Sequence, residues 1–359
     1  MSDIFIGQRA IGPTQPPFII AELSGNHDQS LDKALAMVDA AAAAGADAIK
    51  LQTYTADTMT LDVSDGEFYI DDPANLWHGY SLHQLYQKAM TPWEWTAAIF
   101  ERAQSHGMLA FSTPFDLSAL VFLEQLQAPC YKVASFENSD HALLAAVART
   151  GKPVIVSTGM ASLAELAESV EVLRNNGCKD LILLKCTSNY PARPLDANLN
   201  TIPHLAELFQ CQVGLSDHTM GVGVSVASVA LGASVIEKHF VLDRSEGGVD
   251  AEFSLEPVEF RQLVDECHRA KDALGQVYYG ATEKELASRR YRRSLYIAED
   301  IRAGELFTEQ NLRSVRPGLG LAPKYLPQFL GKTAACELKK GTALSWQHLS
   351  GNVDAGSKR

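Results

Sequence analysis

The chain has 359 residues, enough for one large domain and a small one. Its formal charge is −12, from 43 acidic and 31 basic side chains, so it lacks an overall basic footprint for nucleic acid. A local cluster of lysines can still hold a small anion. The opening stretch "MSDIFIGQRAIGPTQPPFII" has no basic segment followed by an apolar one, which predicts no signal peptide. No apolar run reaches the roughly 18–20 residues that span a membrane. Six scattered cysteines without a CxxC pair predict free thiols in a reducing cytoplasm, not disulfides or structural zinc.

Short apolar strands then alternate with amphipathic helices. "FIIAEL" (18–23) precedes an Ala-rich helix over 30–44. "DAIKLQT" (47–53) precedes an irregular insertion and a helix opening at "TPWEW" (91–95), with Thr91 as cap and Pro92 in the first turn. "LAFSTP" (109–114), "CYKVAS" (130–135), "PVIVSTG" (153–159), "LILLKCT" (181–187), "QVGLSDH" (212–218) and "SVIEKHF" (234–240) follow. Helices are clearest over 161–175 and 256–274. Parallel strands buried on both faces read as apolar runs of this kind. Eight strand–helix units predict an α/β fold, a (β/α)8 TIM barrel, over 1–282. The absence of GxGxxG after the first strand weighs against a dinucleotide fold. The charged stretch 283–295, with "RRYRR", reads as a solvated linker. Strand-like pieces separated by turn signals predict a small β-rich domain over 296–350, and 351–359 reads as a disordered tail.

Reactive residues of a TIM barrel gather at the C-terminal strand ends. Here these are Glu22; Lys50 and Gln52; Thr113; Lys132, Ser135 and Glu137; Ser157; Ser188 and Tyr190; Ser216 and His218; Glu237 and His239. A buried lysine must meet an anion or lose its proton. Lys50 and Lys132, with hydroxyls at Thr113, Ser135, Ser157 and Ser216, therefore suggest a bound phosphate or carboxylate. His218 and His239 end neighbouring strands, about 4.8 Å apart. They can converge on a divalent cation that keeps exchangeable positions; a purely structural role for both histidines stays open at this point.

The motifs "IIAELSGNH", "AGADAIKLQTY", "STPFD", "YKVASFE", "PVIVSTGM", "KCTSNYP", "GLSDHT", "IEKHF" and "RPGLG" resemble, in order, those of the sialic acid synthase family. The resemblance covers nearly the whole chain. It implies a TIM barrel followed by an antifreeze-like (SAF) domain. It also implies a homodimer in which the small domain of one subunit reaches over its partner's barrel. Members condense phosphoenolpyruvate (PEP) with an open-chain N-acetylated sugar to a nine-carbon 2-keto acid, releasing phosphate. "ELSGNH", "KLQTYTADTMT", "LWHGYSLHQLY" (76–86) and "SEGGVDAEFSLEP" (245–257) resemble the pseudaminic acid branch, with 2,4-diacetamido-2,4,6-trideoxy-altropyranose as the sugar. N-acetylneuraminic and legionaminic acid synthases are the alternatives.

Carried over by position, the resemblance implies metal ligands at His218 and His239, with Mn²⁺ first and Mg²⁺ or Co²⁺ as alternatives. It implies a PEP cradle of Lys50, Thr113, Lys132, Ser135, Ser157, Ser188 and Ser216; Ser188 stands where relatives often have Asn. Glu22, Gln52, Tyr190 and Asp250 match sugar-side positions. Glu22 and Glu137 match candidates for proton transfer, with Lys132 beside them, and Arg316 matches a small-domain arginine that meets an N-acetyl group in the partner's site. Two rivals remain. A Schiff-base aldolase would use Lys132 with a depressed pKa; a non-catalytic carbohydrate-binding protein would leave the polar strand ends without a purpose.

Overall fold

The computed structural model describes residues 2–351, so the expected tail lies, from 352 onward, outside the described residues. The chain divides into two compact units after Gly275. In the first, β1 (Ile4–Ile6) and β2 (Arg9–Ile11) form an antiparallel hairpin. Eight parallel strands follow: β3 (Phe18–Glu22), β4 (Ala48–Thr53), β5 (Leu109–Pro114), β6 (Tyr131–Val133), β7 (Val154–Ser157), β8 (Leu181–Cys186), β9 (Gln212–Asp217) and β10 (Val235–His239). They close into a barrel in sequence order, β10 pairing with β3. The strands sit where the apolar runs placed them, because both faces are buried. One face packs on the surrounding helices, the other fills the barrel.

The hairpin was not foreseen. Its Ile4, Ile6 and Ile11 join Phe18, Ile20, Ala48, Phe111, Ile155, Ile182, Leu184 and Val235 in one apolar cluster that fills the floor of the barrel. Side chains alternate along a strand, so residues two apart share a face. Two residues above the floor the interior therefore turns polar on every strand: Glu22, Lys50, Thr113, Lys132, Ser157, Cys186, Ser216 and Glu237. All eight are buried.

The helices carry their own stop and start signals. Ser30 caps Leu31–Ala44, and Ser162 with Glu165 forms a capping box on Leu163–Asn175. Thr91 does not cap as expected. The chain enters Thr96–Ser105 through a 3-10 turn, Trp93–Trp95, with no side-chain cap, and the Thr91 hydroxyl instead pairs with the buried His27 Nε2 at 3.0 Å. The insertion after β4 is less irregular than expected, since Ser81 and Gln84 cap a helix over Leu82–Ala89.

The second unit begins at Gln276, before the expected barrel limit at 282. The expected linker 283–295 is partly ordered: Thr282 and Glu285 cap a helical turn over Glu283–Leu286, and strand β11 opens at Ser294. Strand β11 (Ser294–Ile297) pairs antiparallel with β12 (Leu312–Val315). Among its described residues the unit holds one two-stranded sheet and isolated bridges, such as Ile301 with Leu338 and Ala334 with Leu349. Its separate core holds Leu295, Ile297, Ile301, Phe307, Leu312, Phe329 and Leu344.

Candidate active site

Strand register places the polar layer. Glu22 pairs with Lys50, Gln52 with Thr113, Ser216 with Glu237 and Cys186 with Ser216. The Lys50 ammonium lies against the Glu22 carboxylate, 3.3 Å from Thr113 Oγ1 and 3.9 Å from Glu237 Oε1. The Lys132 ammonium is 3.6 Å from the same Glu237 oxygen, which also accepts a hydrogen bond from Ser216 Oγ at 3.0 Å. Burial pulls Lys50 down, but the carboxylates of Glu22 and Glu237 outweigh it and hold the amine charged. Lys132 is lowered: burial dominates, Glu237 opposes it and Lys50 adds repulsion. Glu237 is held low against its burial by Lys132 and Lys50, whereas burial wins at Glu22 and raises it. Buried charge of this density is costly unless paired. An arriving anion would complete the pairing of Lys132.

Hydroxyls surround the amines. Ser135 Oγ accepts from the Gly159 N–H at 3.2 Å. A Cβ built at Gly159 would stand 2.2 Å from Ser188 Oγ and 2.6 Å from Ser135 Oγ, so only glycine lets these two serines converge. Ser157 Oγ and Glu237 Oε2 are buried with no hydrogen-bond partner among the described residues. Such atoms are expected where a ligand completes the set.

His218 and His239 meet as expected, with ring centroids 5.3 Å apart. His218 Nδ1 lies 3.0 Å from the Thr187 carbonyl oxygen, which can only accept; Nδ1 therefore donates, and Nε2 is the nitrogen left to face a ligand. Burial, then His218, Lys50, Lys238 and Lys132, push His239 well below the usual imidazole range, so it is neutral. Its buried Nδ1 has no hydrogen-bond partner among the described residues and lies 3.8 Å from Asp250 Oδ2. Among the described residues no three His, Cys, Asp or Glu side chains gather in metal-holding geometry. The donors at hand are the two imidazoles, so a cation held here would have to take its other ligands from water and substrate.

The Tyr190 ring lies tilted against that of His218, centroids 4.5 Å apart, and 5.2 Å from Phe253, which lies 4.8 Å from His239. Asp250 sits beside this aromatic face, its backbone N–H held by Asn26 Oδ1 at 3.1 Å. Gln52 is half-buried one step above Lys50. Glu137, also half-buried, follows β6 in a 3-10 turn; burial raises its carboxyl to about 7, opposed chiefly by Lys132. Arg316 belongs to the second unit, where it is exposed and lines a cavity of about 380 Å³ with Tyr296, Arg313 and Lys340.

Two members of the layer had no assigned role. Glu237 bridges both lysines. Cys186 lies 3.9 Å from His218 Nδ1; burial would raise its thiol, but His218, a contact with Ser135 and the charge of Lys132 bring it down to about 6. The signal that finds both is parity: each stands two residues beyond a floor residue, Val235 or Leu184.

A model of the NeuB family matches residues 37–279. The chain belongs to the NeuB family. A SAF domain model matches residues 292–350. The chain is 47% identical over 327 residues to the pseudaminic acid synthase of Campylobacter jejuni, covering 91% of this chain and 95% of that one. It is 43% identical over 332 residues to the pseudaminic acid synthase of Helicobacter pylori, covering 92% and 97%. The crystal structure of an N-acetylneuraminic acid synthetase from Leptospira borgpetersenii is similar, with 34% identity and a TM-score of 0.70 over 80% of this chain and 95% of that one. No helix among the described residues is long and apolar enough to cross a membrane.

Proposed function

We propose that this NeuB-family enzyme condenses PEP with 2,4-diacetamido-2,4,6-trideoxy-altropyranose in the cytoplasm, forming a nine-carbon 2-keto acid and releasing phosphate. The higher identity to two pseudaminic acid synthases than to the neuraminic acid enzyme favours this sugar. The observation that carries the reading is the buried polar layer. Lys50 and Lys132 stand over Glu237 with five hydroxyls around them, a cradle suited to a carboxylate and a phosphate together.

Thr113, Ser135, Ser157, Ser188 and Ser216 donate to the oxyanions, and the two amines balance their charge. His218 and His239 would hold a divalent cation, Mn²⁺ or else Mg²⁺ or Co²⁺, which would supply Lewis acidity to the sugar carbonyl. The PEP methylene carbon attacks that carbonyl, and water adds at the cationic C2 left behind. Of Glu22 and Glu137, we assign the proton of that water to Glu137, whose carboxyl titrates near neutrality. The tetrahedral intermediate then loses phosphate by C–O cleavage. Gln52, Tyr190, Asp250 and Glu22 face the sugar. Arg316 would reach an acetamido carbonyl in the partner's barrel within a homodimer.

The test is phosphate release from PEP that depends on added sugar. Lys50→Ala or Lys132→Ala should each remove about 3–5 kcal/mol of charge pairing and suppress it. Release without sugar, or variants that match the parent, would remove the proposal. A second reading is favoured by the burial of Lys132, 2% exposed, which pulls its pKa down as a Schiff-base aldolase also needs. Borohydride inactivation in the presence of the sugar would support it instead.

A further inference from the structure

The insertion between β4 and β5 ends in a loop that reaches the site wall. Its base is closed by two backbone bonds, Ile70 N to the Tyr80 carbonyl and Gly79 N to the Ile70 carbonyl, both 3.0 Å. Asn75 Oδ1 accepts from the Trp77 N–H at 2.9 Å and fixes the turn. Trp77 thereby stands half-buried, with its ring 5.8 Å from that of Tyr190, which in turn lies 4.5 Å from His218. The indole Nε1 donates to the Val249 carbonyl at 2.8 Å. On the next residue, the Asp250 N–H is held by Asn26. The loop and the barrel's first turn thus grip the same two-residue segment, just after Gly247 and Gly248, both at positive φ.

We propose that Trp77 is a specificity-determining residue that receives the C6 methyl group of a 6-deoxy sugar. The inference rests on the function proposed above. With the sugar carbonyl at His218 and His239, the aromatic wall runs outward through Tyr190 to Trp77, so Trp77 meets the far end of the open chain. Its only polar atom is already bonded to Val249, and the rest of the indole offers carbon alone. A methyl group loses nothing there. A 6-hydroxyl would be desolvated without a partner.

The experiment compares kcat/KM for 2,4-diacetamido-2,4,6-trideoxy-altropyranose and its 6-hydroxy counterpart, using the full-length enzyme with Mn²⁺ and PEP. The parent should prefer the 6-deoxy sugar by about 100-fold, the scale of apolar-pocket discrimination. Trp77→Ala should bring the ratio below about 10-fold, chiefly by raising kcat/KM for the 6-hydroxy sugar, and leave the KM for PEP within about 2-fold. Trp77→Phe keeps a ring but drops the bond to Val249; it should retain most of the preference, which separates the wall from the tether. An unchanged preference in a folded Trp77→Ala enzyme overturns the inference alone. Equal loss of preference in Trp77→Phe and Trp77→Ala also overturns it, because the tether would then account for the effect. A parent that turns over N-acetylmannosamine best overturns the proposed function and this inference with it.

Discussion

Glu137 shows how one side chain ties burial to chemistry. Burial raises its carboxyl from 4.5 to about 7, so the folded protein holds a proton that the unfolded chain gives up earlier. The sign follows from that difference. Below pH 4.5 the group has no effect on stability; between about pH 4.5 and 7 it increasingly penalises the fold; above 7 the penalty is complete, about 3 kcal/mol at 1.36 per unit. Glu137→Gln cannot ionise. It should raise Tm by several degrees at about pH 8 and leave it unchanged at about pH 4. It should also lower kcat about 10²–10⁴-fold and abolish the rise in rate through pH 7 expected of the parent. Thermal unfolding and rate profiles across that range check both; a parent with flat profiles contradicts the assignment.

At the scale of strands, β9 and β10 are tied together on the face turned away from the site. Lys238 is fully buried and lies 2.9 Å from Asp217 Oδ2, which also accepts from Ser225 Oγ, while Asp217 Oδ1 accepts from the N–H and hydroxyl of Thr219. Every carboxylate oxygen is used. Asp217→Asn leaves the ammonium without a countercharge and should cost about 3–5 kcal/mol. That corresponds to a fall in Tm on the order of 10 °C, measurable by calorimetry. A shift under about 2 °C would mean water replaces the lost charge.

The same strands show what a sequence discloses. Strands β3 to β10 were legible because burial on both faces leaves unbroken apolar runs, and the polar residues that interrupt them mark the site. Lys50, Lys132, His218 and His239 stood out because such groups rarely occur in those runs. Glu237 went without a role because its sequence neighbours do not disclose its partners; only three-dimensional register brings it against two lysines on other strands. The hairpin Ile4–Ile11 was hidden because its three-residue strands gain their stability from a barrel floor distant in the chain. Thr91 misled for a related reason, since a tertiary partner, His27, took the hydroxyl that a local rule gave to the helix. Trp77 has a local signal only in the Asn75 turn that precedes it; its place at the site wall depends on Val249 and Tyr190.

For the whole molecule, each unit has its own core, so the barrel should fold without the second unit. A chain ending at Gly275 should unfold cooperatively and still bind PEP, but lose sugar turnover. Arg316→Ala should raise the sugar KM by a charge-assisted contact of about 1.5–3 kcal/mol. Mixing inactive His218→Ala with Arg316→Ala under subunit exchange should restore activity, because one site of the mixed dimer then has both residues intact. No recovery despite proven exchange would deny that Arg316 acts across subunits.

The central claim is the identity of the sugar, and kcat/KM measured with PEP for two sugars tests it most directly. The account predicts that 2,4-diacetamido-2,4,6-trideoxy-altropyranose exceeds N-acetylmannosamine by about 10⁴ or more, because a site that pairs with the C4 acetamido group leaves polar groups unmatched when a hydroxyl replaces it. The product should have the mass of the diacetamido nine-carbon acid. Comparable values for the two sugars, or a preference for N-acetylmannosamine, would contradict it.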